Sequence, residues 1–185
     1  MKFILIENKS ISEDILSFIV GFIGGKNIRL SETSEYLTIF HEYENDSDLN
    51  YFLKALAIEY MISLKAYMSG DLKNTANNLE IKMAKDLLKN APSEVYRLKE
   101  LLLSVKLIDR KEEKLDLILS STGINKEIIK CLALHNFNVL ESSRLLYIHR
   151  NTLNYRIDKF LNLTGFDLRS FQDQYILYSL IENKS

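Results

Sequence analysis

Residues 138–165 read NVLESSRLLYIHRNTLNYRIDKFLNLTG, and their spacing decides how the rest of the chain is understood. Asn138 suits the cap of a helix, because its side-chain oxygen can accept an N–H of the first turn. Glu141 can reach back to complete a capping box in which Asn replaces the usual Ser or Thr. Val139, Ser143 and Leu146 then share one face of that short helix. Tyr147-Ile148 leaves room only for a tight turn, and a second helix begins near His149 with Leu153, Ile157 and Phe160 at i, i+4 and i+7. The small side chain of Ser143 allows a close crossing, and Ile148 plugs the corner. The spacing predicts a helix-turn-helix.

With Leu153 and Ile157 turned inward, Arg150, Asn151, Asn154 and Tyr155 stay outside near the start of the second helix, and Arg156 and Lys159 follow further along. Amides and guanidinium groups read base edges in the major groove, while hydroxyls and cations hold phosphates. The helix N-terminus adds a favourable potential for a phosphate. Together with His149 and Thr152, these side chains form the candidate DNA-binding set, on a recognition helix spanning about residues 149–161.

The string His149-Arg150-Asn151-Thr152-Leu153-Asn154-Tyr155-Arg156-Ile157, with its helical context on both sides, resembles the C-terminal helix-turn-helix of PucR/CdaR-type bacterial transcriptional regulators, a region related in pattern to that of the Fis protein. Leu163-Thr164-Gly165-Phe166-Asp167-Leu168 and the apolar helix expected from Ser170 also match, so the resemblance covers roughly the last 60 residues. Many members carry a basic residue where this chain has Asn154 and an Ala where it has Ser143. The first difference bears on base preference, and neither alters the fold. The resemblance implies a sequence-specific regulator, and in front of the DNA-binding unit a degenerate cyclase-like α+β domain that pairs subunits or senses a signal, joined by a helical linker. Gly24-Gly25-Lys26-Asn27 lacks the Gly-Gly-Asp/Glu-Glu-Phe signature of a catalytic cyclase, so no enzymatic activity is expected.

The front of the chain supports that order on its own pattern. Phe3 to Ile6 is an apolar run of strand length. Ser12 with Glu13 and Asp14 starts a helix carrying Ile15, Leu16, Phe18, Ile19, Phe22 and Ile23, which Gly24-Gly25 stops. Ile28 to Glu32 and Tyr36 to Tyr43 look like a hairpin turning at Thr33-Ser34-Glu35, with Leu37, Ile39 and His41 alternating against Tyr36, Thr38 and Phe40. Asp48 can cap a helix with Leu49, Phe52, Leu53 and Leu56, and Ile62 to Met68 has strand character before Gly70-Asp71. The sum is β-α-β-β-α-β, a ferredoxin-like sheet with helices on one face.

From about Asn74 onward no further strand is expected. Pro92-Ser93-Glu94 marks a boundary before an apolar stripe of Val95, Leu98, Leu101, Leu102 and Val105, suited to intradomain core or to dimerisation. A charged cluster, Asp109 to Lys114, leads to Leu115, Leu117, Ile118 and Leu119, and Ser121-Thr122-Gly123 closes the segment. The fold class expected is therefore α+β: a ferredoxin-like βαββαβ domain over 1–73, a helical linker over 74–122 and an all-α helix-turn-helix domain over 123–185.

Composition narrows the function classes. The 185 residues carry 24 Lys+Arg against 25 Asp+Glu, one Pro and six Gly, which disfavours disordered, collagen-like and turn-dense all-β architectures. The apolar run Ile15 to Gly25 is too short to span a bilayer, which needs about 20 residues, and no secretory signal precedes it, so a cytoplasmic location without membrane contact is expected. Cys131 alone supplies no disulfide or thiolate zinc site and reads as a buried thiol. His41, His135 and His149 lack companions at ligand spacing, so neither metal nor cofactor is expected. Ser142 and Ser143 stand outside any nucleophile motif and read as packing residues. Residues 125–185 carry 8 Lys+Arg and 6 Asp+Glu, a difference of +2, against 16 and 19 over 1–124, a difference of −3. Non-specific affinity scales with the phosphates neutralised, so so small an excess favours a homodimer on double-stranded DNA. The alternative is an interaction or adaptor protein that keeps the fold without binding DNA. Any effector is left open.

Overall fold

Four consecutive apolar residues cannot alternate in and out of water, so a strand built on Phe3 to Ile6 has to be covered on both faces. In a computed structural model, which describes residues 2–24, 27–70, 77–104, 119 and 122–182, that strand is β1 (Lys2–Glu7), and all four side chains are 0% exposed. It lies between β3 (Tyr36–His41) and β4 (Ala66–Met68), antiparallel to both. β2 (Arg29–Glu32) pairs antiparallel with β3, and β5 (Val95–Tyr96) runs parallel to β4, giving the order β2-β3-β1-β4-β5. Expectations that fall on Gly25, Lys26, Asp71, Asn74, Val105, Asp109 to Ile118 and Ser121 lie outside the described residues.

Register sorts the sheet into two faces. Ile4 stands opposite Ile39 and Met68, and Ile6 opposite Leu37 and Ala66. These residues pack with Ile15, Ile19 and Ile23 of α1 (Glu13–Ile23) and Leu49, Leu53 and Leu56 of α2 (Asp46–Glu59). On the other face the Phe3 ring lies 6.2 Å from Phe40 and 5.9 Å from Tyr67, centroid to centroid. There α3 (Asn77–Leu88) is tied down by two phenols: Tyr36 donates to the Lys85 carbonyl at 3.3 Å, and Tyr67 donates to Glu80 Oε1 at 2.5 Å. Helices thus cover both faces and not one. The unbroken apolar run of β1 demands the second layer.

The boundary expected at residue 73 also moves. Residues 1–106 form one compact unit and 107–185 a second, so 77–104 belongs to the sheet domain and is not linker. Val95, expected to open a helical stripe, instead pairs with Ala66, and Tyr96 beside it pairs with Tyr67. A strand edge leaves backbone donors and acceptors unpaired, and two residues are enough to satisfy those beside β4. The helix after them, α4 (Leu98–Ser104), buries Leu98 and Leu101. Smaller shifts have local causes. Ser12 caps α1 as expected, accepting the Ile15 N–H at 3.4 Å, whereas α2 is capped by Asn45, which accepts the Asp48 N–H at 3.2 Å. The last strand shortens to Ala66–Met68 because α2 runs on to Glu59 and is closed by the Ile62 N–H reaching the Ala57 carbonyl at 3.0 Å.

In the second unit the described regular elements are all helical: α5 (Lys126–Leu134), α6 (Val139–Leu145), α7 (Arg150–Thr164) and α8 (Phe171–Glu182). Ile128, Ile129 and Leu132 of α5, Leu153, Ile157 and Phe160 of α7, Phe166 and Leu168 of the following loop, and Leu177 and Ile181 of α8 supply the core. Gly165, at φ 76°, closes α7 in the left-handed conformation that only glycine adopts without strain. Cys131 is half-buried, not buried, with Sγ 3.8 Å from His135 Nδ1. Among the described residues no helix is long and apolar enough to cross a membrane.

Candidate nucleic-acid interface

Capping and packing build the corner at residues 138–150. The Asn138 side chain accepts the Glu141 N–H at 3.2 Å. Its own N–H donates to the His135 carbonyl at 3.0 Å, so the reciprocal half of the capping box has no vacant donor to fill. At the other end of α6 the Tyr147 N–H reaches the Arg144 carbonyl at 3.2 Å and the Ile148 N–H the Ser143 carbonyl at 2.9 Å. This is a Schellman closure with Tyr147 in the left-handed position, φ 53°. The next cap follows at once: His149 Nδ1 accepts the Asn151 N–H at 3.2 Å. As an acceptor Nδ1 carries no proton, which leaves Nε2 as the only ring donor facing outward.

Beneath the corner, Leu153, Ile157 and Phe160 are wholly buried, and Ser142 and Ser143 are buried in α6. Ser143 turns its hydroxyl back to the Leu140 carbonyl at 2.8 Å, whereas the Ser142 hydroxyl is buried at the crossing without a hydrogen-bond partner among the described residues. Leu146 and Ile148 are half-buried.

The eight candidate residues divide into two groups. His149, Arg150, Asn151, Thr152 and Tyr155 are exposed together over the first turns of α7, Tyr155 at 67%. Asn154, Arg156 and Lys159 are half-buried along its flanks. The Arg156 side chain lies over the turn at Gly123, where a Cβ would come 3.7 Å from Nε, so its stem is engaged by the fold. The first turn of α7 holds no acid, which preserves its positive end for an anion.

One group on this surface escaped sequence reasoning. Asp158, also exposed, sits one turn beyond Tyr155 and would oppose a phosphate backbone, but Arg169 Nη2 holds its carboxylate at 2.6 Å. Asp158 could have been found from its spacing of three after Tyr155. Arg169 could not, because only the loop after α7 brings it back. Groups with displaced proton affinities lie in the other unit. Burial, with the nearby Lys2 ammonium, lowers His41 to about 4, and burial raises Glu80 to about 7. Among the described residues no cluster of three or more His, Cys, Asp or Glu could hold a metal ion.

Comparison with known proteins bears on the same residues. The model of the PucR C-terminal helix-turn-helix domain matches residues 127–181. The carbohydrate diacid regulator of Escherichia coli (strain K12) is 36% identical over 64 residues, 35% of this chain and 17% of that protein. The uncharacterized protein YxkF of Bacillus subtilis (strain 168) is 33% identical over 95 residues, 46% of this chain and 32% of that protein. The proline-responsive transcriptional activator PutR of the same organism is 26% identical over 176 residues, 93% of this chain and 40% of that protein. The chain spans less than half the length of each of these relatives. Residues 127–181 of this chain thus match the PucR C-terminal helix-turn-helix domain, and the chain is similar to transcriptional regulators of the PucR/CdaR type.

Proposed function

We propose that this chain is a sequence-specific DNA-binding transcriptional regulator that lowers the first turns of α7 into the major groove. The observation that carries the reading is the joint exposure of His149, Arg150, Asn151, Thr152 and Tyr155 on a helix whose opposite face is wholly buried. Arg150 and Asn151 offer the guanidinium and amide that distinguish base edges, and Thr152 and Tyr155 offer hydroxyls for phosphates. Asn154, Arg156 and Lys159 act from the flanks, Arg156 with its stem supported at Gly123.

The protein works as a homodimer, because one recognition helix reads only a half-site and the unit carries little net positive charge. Residues 1–106 pair subunits or sense a signal, without catalysis and without a resident cofactor or metal. The antiparallel order of β2, β3, β1 and β4 supports a ferredoxin-like layout for that unit, with β5 as an addition. The regulator is cytoplasmic.

The test is fluorescence anisotropy of the full chain on duplex DNA recovered by selection from a random pool. Arg150→Glu should weaken binding at least ~100-fold, since it removes a desolvated contact and adds repulsion, and wild-type affinity should fall steeply with salt. Unchanged affinity in Arg150→Glu would remove α7 from the interface. Failure of the wild type to retain any duplex would favour an adaptor that keeps the fold alone.

A further inference from the structure

Tyr147 is a large side chain of the corner that the fold leaves almost wholly in water. It stands between α6 and α7, two residues before the His149 cap, at φ 53° and 98% exposed. The position that closes a helix in this way favours Gly, because a Cβ there crowds the neighbouring carbonyl. Other described non-glycine residues with positive φ are Met61, Asn136 and Phe137. Asn tolerates the conformation, and the Phe137 ring packs edge-on to Phe171 at 6.1 Å. Tyr147 has neither reason: among the described residues its side chain makes no hydrogen bond, ion pair or ring contact.

A phenol placed there adjoins the exposed cap and first turn of α7. Side chains flanking a recognition helix meet the sugar-phosphate backbone more often than base edges. Resting on the DNA-binding reading above, the geometry points to Tyr147 as a phosphate contact, its hydroxyl donating a hydrogen bond to a backbone oxygen beside the bases that α7 reads. The contact sets register and holds α7 in place. It reads no sequence and, being uncharged, releases no counterion.

Three variants of the full chain test this by anisotropy, on the duplex selected by the wild type and on a scrambled duplex, each across a salt series. Tyr147→Phe should bind both duplexes roughly tenfold more weakly, as expected for a lost hydrogen bond to a charged acceptor, with the slope of affinity against salt unchanged. Tyr147→Gly should show the same loss with a raised thermal midpoint, because glycine relaxes the left-handed position. Met61→Gly, at the same kind of position in the other unit and 94% exposed, should raise the midpoint and leave DNA affinity as it is. Wild-type affinity in Tyr147→Phe, a loss confined to the selected duplex, a flatter salt slope, or a lowered midpoint in Tyr147→Gly would each overturn the assignment. If Arg150→Glu weakens binding as stated while Tyr147→Phe keeps wild-type affinity, the DNA reading stands and only Tyr147 falls. A wild type that binds no duplex takes both down.

Discussion

Both units bury polar side chains, but they differ in where their displaced titratable groups and their exposed polar groups lie. In residues 1–106 the displaced titratable groups are interior: His41 and Glu80 are buried, and the Tyr67 phenol that meets Glu80 is buried with them. In residues 122–182 Thr122, Ser142, Ser143, Thr164, Asp173 and Gln174 are buried as well, but the first turns of α7 keep their polar groups in water above Leu153, Ile157 and Phe160. The sheet domain uses its buried acid and phenol to hold two layers together, while the first turns of α7 leave their polar groups free to meet something else. Burial is the discriminator: an amide or guanidinium already satisfied inside cannot recognise a ligand.

That contrast can be broken from the inside of either unit. Phe160→Ala should cost the helical unit about 3–5 kcal/mol, the usual loss for a buried aromatic, and hydrogen exchange should locate the damage. Amides of α7 should lose protection while those of β1 keep theirs. Loss of protection in both would show that the two units do not unfold separately.

The next effect is on pH dependence in the sheet domain. Glu80 moves from an ordinary 4.5 to about 7 on folding. Between those values the folded state holds a proton that the unfolded state has released, so its contribution is present below about 4.5 and is lost as pH rises through about 7. His41 moves from 6.5 to about 4, so its contribution is present above 6.5 and is lost as pH falls towards 4. The two slopes oppose each other. Glu80→Gln keeps an acceptor for Tyr67 and removes one of them, so above neutral pH the variant should be more stable than wild type by up to about 3 kcal/mol. Its stability should climb from pH 4 to 6.5 where the wild type is flatter, as urea unfolding at a series of pH values would record. A parallel pair of profiles would place the carboxyl in water.

Smaller effects sharpen the comparison at the surface. Asn138→Ala should cost the corner about 1 kcal/mol and Asn138→Ser much less, because only the cap to the Glu141 N–H is lost. Denaturant unfolding of the helical unit would measure it, and equal costs for both substitutions would show that the cap is idle. At the low end, Lys54→Ala removes an exposed pair with Glu94 at 3.4 Å and should change stability by less than about 1 kcal/mol. A larger change in the same unfolding measurement would mean that α2 depends on this pair to hold its place.

Much of the corner between α6 and α7 was legible in the sequence. Asn138, Ser142, Ser143, Leu153, Ile157 and Phe160 have local reasons for their places, since helix period and capping chemistry act within a few residues. Less of the sheet domain was legible, and the failures share a cause. Val95 reads as the start of a helical stripe until β4 offers it and Tyr96 an open edge. Phe3 to Ile6 signals a strand but says nothing of which helices will cover its second face. Arg156 and Lys159 look free on a helical wheel, yet both are half-buried.

The amino-acid sequence by itself determined the corner, the buried face of α7 and the polar face that remains, because each follows from periodicity and caps that close within a turn or two. Only the tertiary structure decided that the sheet domain runs on to residue 106, that α3 seals its second face through Glu80, and that Arg169 returns to neutralise Asp158. Those contacts join residues whose chemistry is compatible with many partners, and the choice among them is made by which surfaces the packed core leaves adjacent.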